Sequence, residues 1–236
     1  MKRIVIALQF CHSDKENAMR VARLIADNEP SFRKDVEICF VARFDCVQDL
    51  ETIGYVASKF VVSTFTTTTK ATGWPQGPNA MAFDMIKESW RRVFFAMAWA
   101  DVKFVLLMEP DCIPVRSDWI NLLIETWDTA HLQGKYIVGC WRDGGGTIGH
   151  INGNMMFPPN LTARINTDFQ IDGCAWDCQM APAFSPHWYH TDRIVNLWQE
   201  KNISEERLNK MEYAALVHGC KSDDVYDYAK KKLGLK

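Results

Sequence analysis

The chain has 236 residues, 47% of them hydrophobic, enough to build one large α/β domain with a full core. Its 27 basic and 29 acidic residues leave a formal net charge of −2, which excludes a whole-chain electrostatic attraction to nucleic acid or anionic membrane. No apolar run approaches the roughly 18–20 residues needed to cross a bilayer, and no signal peptide is visible, so the expectation is a soluble, cytoplasmic protein with eight reduced cysteines. The sequons Asn160-Leu-Thr162 and Asn202-Ile-Ser204 are then accidental.

Ile4–Leu8 is a short continuous apolar run, as in a strand buried on both faces. Behind it Ser13 and Glu16 match a capping box, and Ala18, Val21, Ala22 and Ile25 keep helical spacing up to the Asn28–Pro30 stop. Val36–Ala42 predicts a second strand, Asp45 a cap for a helix carrying Leu50, Ile53, Val56 and Ala57, and Phe60–Phe65 a third strand. This alternation argues for a largely parallel sheet covered by helices.

The pattern breaks at Thr66–Asn79, where a Thr-rich run enters Gly-Trp-Pro-Gln-Gly-Pro-Asn. Either this is an ordinary connection or it is a binding loop feeding the predicted helix Ala80–Ala100, whose amino terminus suits an anionic group. The Met, Phe and Trp residues of that helix read as core.

Val102–Arg116 carries the strongest signal. An apolar, β-prone run ends on Glu109-Pro-Asp111, so a buried strand delivers two carboxylates to its own tip. In open α/β sheets ligands bind outside the carboxyl ends of the strands. Two acids this close repel unless a cation lies between them, and hard cations such as Mg²⁺ or Mn²⁺ take oxygen ligands. The competing reading is a solvated turn in which Pro110 fixes φ and Asp111 caps.

Ser117 predicts a cap for a helix to about Ala130, and Lys135–Trp141 a further strand. The glycine-rich Arg142–Gly149 that follows reads as a flexible connection. It fits neither a phosphate loop nor a dinucleotide fingerprint. His150-Ile-Asn-Gly-Asn154 opens a short strand with polar side chains that packing does not call for. Asp172 and Asp177 bracket a second acidic cluster beside Trp176, as helix caps or as site residues. Tyr213–Val217 is apolar and stops at His218-Gly-Cys-Lys221, after which Ser222 caps a last helix with Lys230–Lys232 in its final turns. The spacing of Cys174, Cys178, His187 and His190 admits a structural zinc site, although its gaps are short for one.

These residues together resemble the metal-dependent nucleotide-sugar glycosyltransferases of the GT-A fold, a three-layer sandwich around a mostly parallel sheet. In that family a hydrophobic strand ends in an Asp-any-Asp motif, of which Glu109-Pro-Asp111 is a variant, and a late His often completes the metal shell, a position that His218 matches. The resemblance spans Gly73 to Lys221. It departs from the family pattern in the Glu at 109 and the Pro at 110.

The resemblance implies a single domain, 1–236, with a nucleotide-binding half (1–108) and a metal, sugar and acceptor half (109–236). It implies Mn²⁺ or Mg²⁺ on Asp111, Glu109 and His218. Lys221, Asn152, Asn154, Gln9 and Arg43 would bind the donor, a nucleotide-diphosphate sugar. Trp74, Gly77, Asn79, His150 and Trp176 would form the acceptor or sugar loop. Asp177, then Asp172, would be the general base for a hydroxyl acceptor. The acceptor is a glycan or, as in phage-type transferases that the chain also resembles, a hydroxymethylated DNA base in a host cytoplasm. The second option requires the fold to gather Arg91, Arg92, Arg142, Arg164 and Arg193 into a groove. A non-catalytic nucleotide-sugar-binding protein and a sugar nucleotidyltransferase are the alternatives on the same fold. The segment Gln9-Phe-Cys-His-Ser lacks the latter's glycine-rich signature.

Overall fold

A computed structural model describes residues 3–144, 147–165, 170–197, 200 and 203–235. The chain runs through β1 (Arg3–Phe10), α1 (Lys15–Asp27), β2 (Arg33–Ala42), α2 (Leu50–Ala57), β3 (Phe60–Thr66), α3 (Gln76–Phe94) and β4 (Val102–Met108). It continues with β5 (Cys112–Pro114), α4 (Trp119–Leu132), β6 (Ile137–Gly144), β7 (Thr147–Phe157), α5 (Leu161–Arg164) and α6 (Trp176–Phe184). The last elements are β8 (Trp188–His190), β9 (Ile194–Asn196), α7 (Glu205–Asn209), β10 (Leu216–His218) and α8 (Asp223–Lys232).

Seven strands form one sheet in the order β3-β2-β1-β4-β7-β6-β8, and β5-β10-β9 form a small second sheet. The pairs from β3 to β4 are parallel, which requires the crossover connections supplied by α1, α2 and α3. β7 runs antiparallel to both β4 and β6. Its amino-terminal half therefore extends past the carboxyl end of β4.

The period of two along β1 sorts the core into two layers. Ile4, Ile6 and Leu8 belong to one apolar cluster with Val21 and Ile25 of α1 and Trp119 and Leu123 of α4. Val5 and Ala7 belong to another with Phe83 and Ile86 of α3 and Met180 of α6. Helices thus cover both faces, the expected three-layer arrangement. Leu106 of β4 is fully buried, and truncating such a side chain to alanine costs about 2–5 kcal/mol.

Strand positions follow the sequence reading closely, but helix starts do not. Asp14, rather than Ser13, precedes α1, and its carboxylate accepts the Cys11 N–H at 2.6 Å instead of closing a capping box. Asp45 is held by Arg43 at 2.6 and 2.7 Å, and Asp49 caps α2 through the Thr52 N–H. Asp118 precedes α4 in place of Ser117, with its carboxylate on Arg116. Ser222 does precede α8, without a side-chain cap bond, and Lys230–Lys232 lie in the last turn. Helix α3 starts at Gln76 and ends at Phe94, not Ala80–Ala100. On either side of residues 145 and 146, the glycine-rich segment after Trp141 belongs to the strands β6 and β7, with Gly144 paired to Thr147. Gly149 packs so tightly on Trp141 that a Cβ would lie 1.9 Å from the indole. Residues 145 and 146, and Asn202 of the second sequon, lie outside the described residues. Among the described residues no helix is long and apolar enough to cross a membrane.

Candidate active site

β4 ends at Met108, and the chain turns at once through Glu109 and Pro110, closed by the Cys112 N–H on the Glu109 carbonyl at 3.1 Å. Asn17 of α1 donates to the Pro110 carbonyl at 2.8 Å, fixing the turn from the other side. The chain then enters β5, which pairs antiparallel with β10 and sets His218 opposite Cys112. The Asp111 carbonyl accepts both the Gly219 and Cys220 N–H groups, at 3.1 and 2.9 Å. Two segments more than a hundred residues apart are thereby locked by backbone bonds.

The result is a compact cluster. His218 Nε2 lies 2.8 Å from Glu109 Oε2 and 3.1 Å from Asp111 Oδ1, and one ligand atom from each residue lies within 4.8 Å of the others. Burial would push the His218 imidazole toward neutrality, but the hydrogen bonds to Asp111 and Glu109 outweigh it and raise its pKa to about 9. Burial likewise pushes Asp111 up, and His218 and Lys221 outweigh it and hold the carboxyl below its usual range. Asn196 Oδ1, which can only accept, lies 3.0 Å from His218 Nδ1 and so keeps a proton there. Nε2 is left to face the carboxylates, the orientation a ligating histidine needs.

The donors fit a hard divalent ion. The two carboxylates are the ligand type of Mn²⁺ or Mg²⁺, and the imidazole beside them favours the transition metal Mn²⁺ of the two. Adjacent donors around an octahedral ion at about 2.1–2.2 Å lie roughly 3 Å apart, close to the 2.8 and 3.1 Å separations found here.

β7 supplies the floor of the site. Asn154 is fully buried, accepts the Glu109 N–H at 2.8 Å and donates to Glu109 Oε2 at 3.0 Å and to Asn152 Oδ1 at 3.3 Å. Its amide is spent on positioning Glu109, a role the sequence did not reveal. Gly153 allows the close approach, since a Cβ there would lie 2.9 Å from Glu109 Oε1. At the start of the same strand His150 meets the first turn of α6, with Nε2 3.7 Å from Asp177 Oδ2 and Nδ1 3.7 Å from Cys178 Sγ. Burial pushes the Asp177 carboxyl up, and the Glu109 charge adds to the shift.

The remaining candidates divide. Gln9 is buried near the end of β1, and Arg43, just past β2, lies beside Gly77, where a Cβ would be 3.5 Å from its Nη1. Trp74 is 75% exposed, an open indole on the loop before α3. Asn79 is fully buried instead, donating to the Ile171 and Cys174 carbonyls at 3.0 Å and accepting the Trp176 N–H at 2.7 Å. It clamps α3 to the turn before α6 rather than lining the loop surface. Trp176 is packed in the core beneath that turn, and Asp172 is exposed on it.

The fold does not gather the five arginines around one partner. Arg91 and Arg92 hold Glu88, Arg164 lies over Tyr136, Arg193 donates to the Tyr213 carbonyl, and Arg142 faces His150 across the β6–β7 ladder. Nor does it assemble the sequence-spaced zinc quartet. His187 stacks on Tyr136 and His190 bonds Asp192, while Cys178 turns to His150. Asn196 and Asn17 escaped the sequence reading because β9 has three residues and Asn17 is one polar position in an amphipathic helix.

No protein-family model and no curated protein sequence matches the chain. Among solved structures it is similar to the galactosyltransferase LgtC in complex with donor and acceptor sugar analogues, with a TM-score of 0.57 and 10% identity over 98% of this chain and 95% of that one. It is also similar to mouse xyloside xylosyltransferase 1 in its apo form, with a TM-score of 0.57 and 11% identity over 92% and 97% of the two chains. The chain has the GT-A fold. A third similar structure is the mannosyltransferase PcManGT from Pyrobaculum calidifontis in complex with GDP-Man and Mn²⁺, with a TM-score of 0.50 and 12% identity over 80% and 55% of the chains. In this GT-A chain the Glu109–Asp111–His218 cluster sits just beyond the carboxyl end of β4, in the middle of the central sheet.

Proposed function

We propose that the chain is a metal-dependent glycosyltransferase that moves a hexose or pentose from a nucleotide-diphosphate sugar to a hydroxyl acceptor. The observation that carries this reading is the Glu109–Asp111–His218 cluster at the tip of a GT-A β4 strand. Glu109, Asp111 and His218 would hold Mn²⁺ or Mg²⁺. When bound there, the ion would offset the negative charge that grows on the departing diphosphate. The similar mannosyltransferase in complex with GDP-Man and Mn²⁺ supports both the ion and the donor class.

The chain's own residues divide the remaining work within one domain, with nucleotide contacts from 1–108, metal, sugar and acceptor contacts from 109–236, and the Trp74 loop of the first half reaching the sugar or acceptor. Gln9 and Arg43, at the ends of neighbouring parallel strands, frame the nucleotide. Lys221 is exposed with Nζ 3.6 Å from Asp111 Oδ2, so its long side chain reaches phosphate oxygens beside the ion. Asn152 presents its amide to sugar hydroxyls while Asn154 holds Glu109. Asp177, whose carboxyl is pushed up by burial, takes the acceptor proton, with exposed Asp172 second. Trp74, on the loop before α3, and Gly77, in the first turn of that helix, form the sugar or acceptor side, and Trp74 offers a flat face to a sugar ring. A glycan hydroxyl is the acceptor favoured over a DNA base, because Arg91 and Arg92 are engaged by Glu88, Arg164 by the Tyr136 ring and Arg193 by the Tyr213 carbonyl.

A thermal-shift screen of nucleotide sugars with and without Mn²⁺ tests the reading. One donor should stabilise the protein only in the presence of the ion, since a ligand that binds the native state raises apparent stability. Stabilisation by donor and ion with no transfer or hydrolysis would instead mark a binding protein. Release of pyrophosphate from a nucleoside triphosphate would mark a nucleotidyltransferase.

A further inference from the structure

Cys178 takes no part in the chemistry proposed above, yet it follows the proposed base Asp177 directly and its thiol meets His150. Its Sγ is 3.7 Å from His150 Nδ1, and His150 Nε2 is 3.7 Å from Asp177 Oδ2. Taking one ligand atom from each, all three lie within 4.8 Å of one another. His150 is held on β7 and the other two side chains leave the first turn of α6, so the donors come from two elements that already pack together. Donor pairs in a tetrahedral zinc shell lie roughly 3.3–3.6 Å apart, given Zn–S of about 2.3 Å and Zn–N and Zn–O of about 2.0–2.2 Å. A side-chain closure of about 1 Å on one ring nitrogen would complete three ligands and leave a fourth position open.

We infer that His150, Asp177 and Cys178 form a second metal site, selective for a thiophilic divalent ion such as Zn²⁺ and separate from the Glu109–Asp111–His218 centre. Selectivity follows from the donors: a thiolate favours zinc, whereas the oxygen-rich centre suits Mn²⁺ or Mg²⁺. Binding exchanges the Cys178 proton, which leaves to solvent, for a Zn–S bond. Without an ion the Cys178 thiol is protonated at neutral pH, because burial and then Asp177 push it up to about 11. Bound zinc withdraws Asp177 from an acceptor hydroxyl, so the site inhibits transfer. That consequence, unlike the site itself, rests on the glycosyltransferase reading.

The test uses the full chain loaded with Co²⁺, whose bond to a thiolate gives a sulfur-to-metal charge-transfer absorption. The expected result is one thiolate-bound Co²⁺ that Zn²⁺ displaces, retained in Asp111→Ala and lost in both Cys178→Ser and His150→Gln. Cys178→Ser should keep the Mn²⁺-dependent thermal shift, which also reports that it is folded, and should need at least about tenfold more Zn²⁺ for half-inhibition. No charge-transfer band in the wild type, or a band that persists in Cys178→Ser, overturns the site. Failure of every nucleotide sugar to bind would sink the transferase reading and leave the Co²⁺ result standing.

Discussion

Two side-chain clusters at this edge of the molecule each combine a histidine with a carboxylate, and each has its ligand atoms within 4.8 Å. They differ in what holds them. The Glu109–Asp111–His218 cluster is fastened by backbone bonds between β5 and β10, by the Asn154 amide and by Asn196 on the far side of the imidazole. The His150–Asp177–Cys178 cluster joins a strand to the first turn of a nine-residue helix, and its two 3.7 Å contacts fall on opposite nitrogens of the His150 ring. The first is organised before any ion arrives, whereas the second closes onto one. The donor atoms then divide the ions, with oxygen-rich ligands for a hard cation and a thiol for a soft one.

Substitutions can break this contrast in a graded way. His218→Ala removes a ligand outright and should weaken Mn²⁺ binding by more than about 100-fold, since even outer partners of metal ligands are worth about 10–100-fold. Titration of Mn²⁺ by calorimetry measures it. Asn154→Leu should cost about 10–100-fold in the same titration. It should also cost about 1–3 kcal/mol of stability in urea unfolding, because the Glu109 N–H loses its acceptor. Gly153→Ala adds a Cβ 2.9 Å from Glu109 Oε1, and as only the tip of one side chain must yield, a loss of a few-fold in metal affinity is expected. Trp74→Ala touches neither cluster. It should leave Mn²⁺ binding unchanged and raise the KM for the sugar or its acceptor.

The parts of this arrangement that could be read from the sequence were those encoded in one dimension. β1, β2, β3 and β4 are runs whose apolar character does not depend on what packs against them, and Glu109 and Asp111 are visible because β4 ends on them. His218 stood out because an apolar run stops there. At α2 the start was decided by competition among side chains: Asp45 was claimed by Arg43, two positions away, and Asp49 was left to cap the helix. β8, β9 and β10 have three residues each, too short for any periodicity. Asn196, on one of them, was therefore invisible. Asn79 and Asn154 looked alike as polar residues in odd places, and only the fold gives one to a helix clamp and the other to Glu109. Cys178 was legible as a possible zinc ligand, but its sequence partners His187 and His190 were the wrong ones. His150, twenty-eight residues upstream, meets it through the packing of α6 on β7.

The central claim is that Glu109, Asp111 and His218 hold the ion through which a nucleotide sugar binds. It is tested most directly by the thermal shift of wild type and Asp111→Ala with Mn²⁺ and the best nucleotide sugar, added singly and together. The account predicts a shift in the wild type that needs both additions and is abolished in Asp111→Ala. An undiminished shift in Asp111→Ala would contradict it.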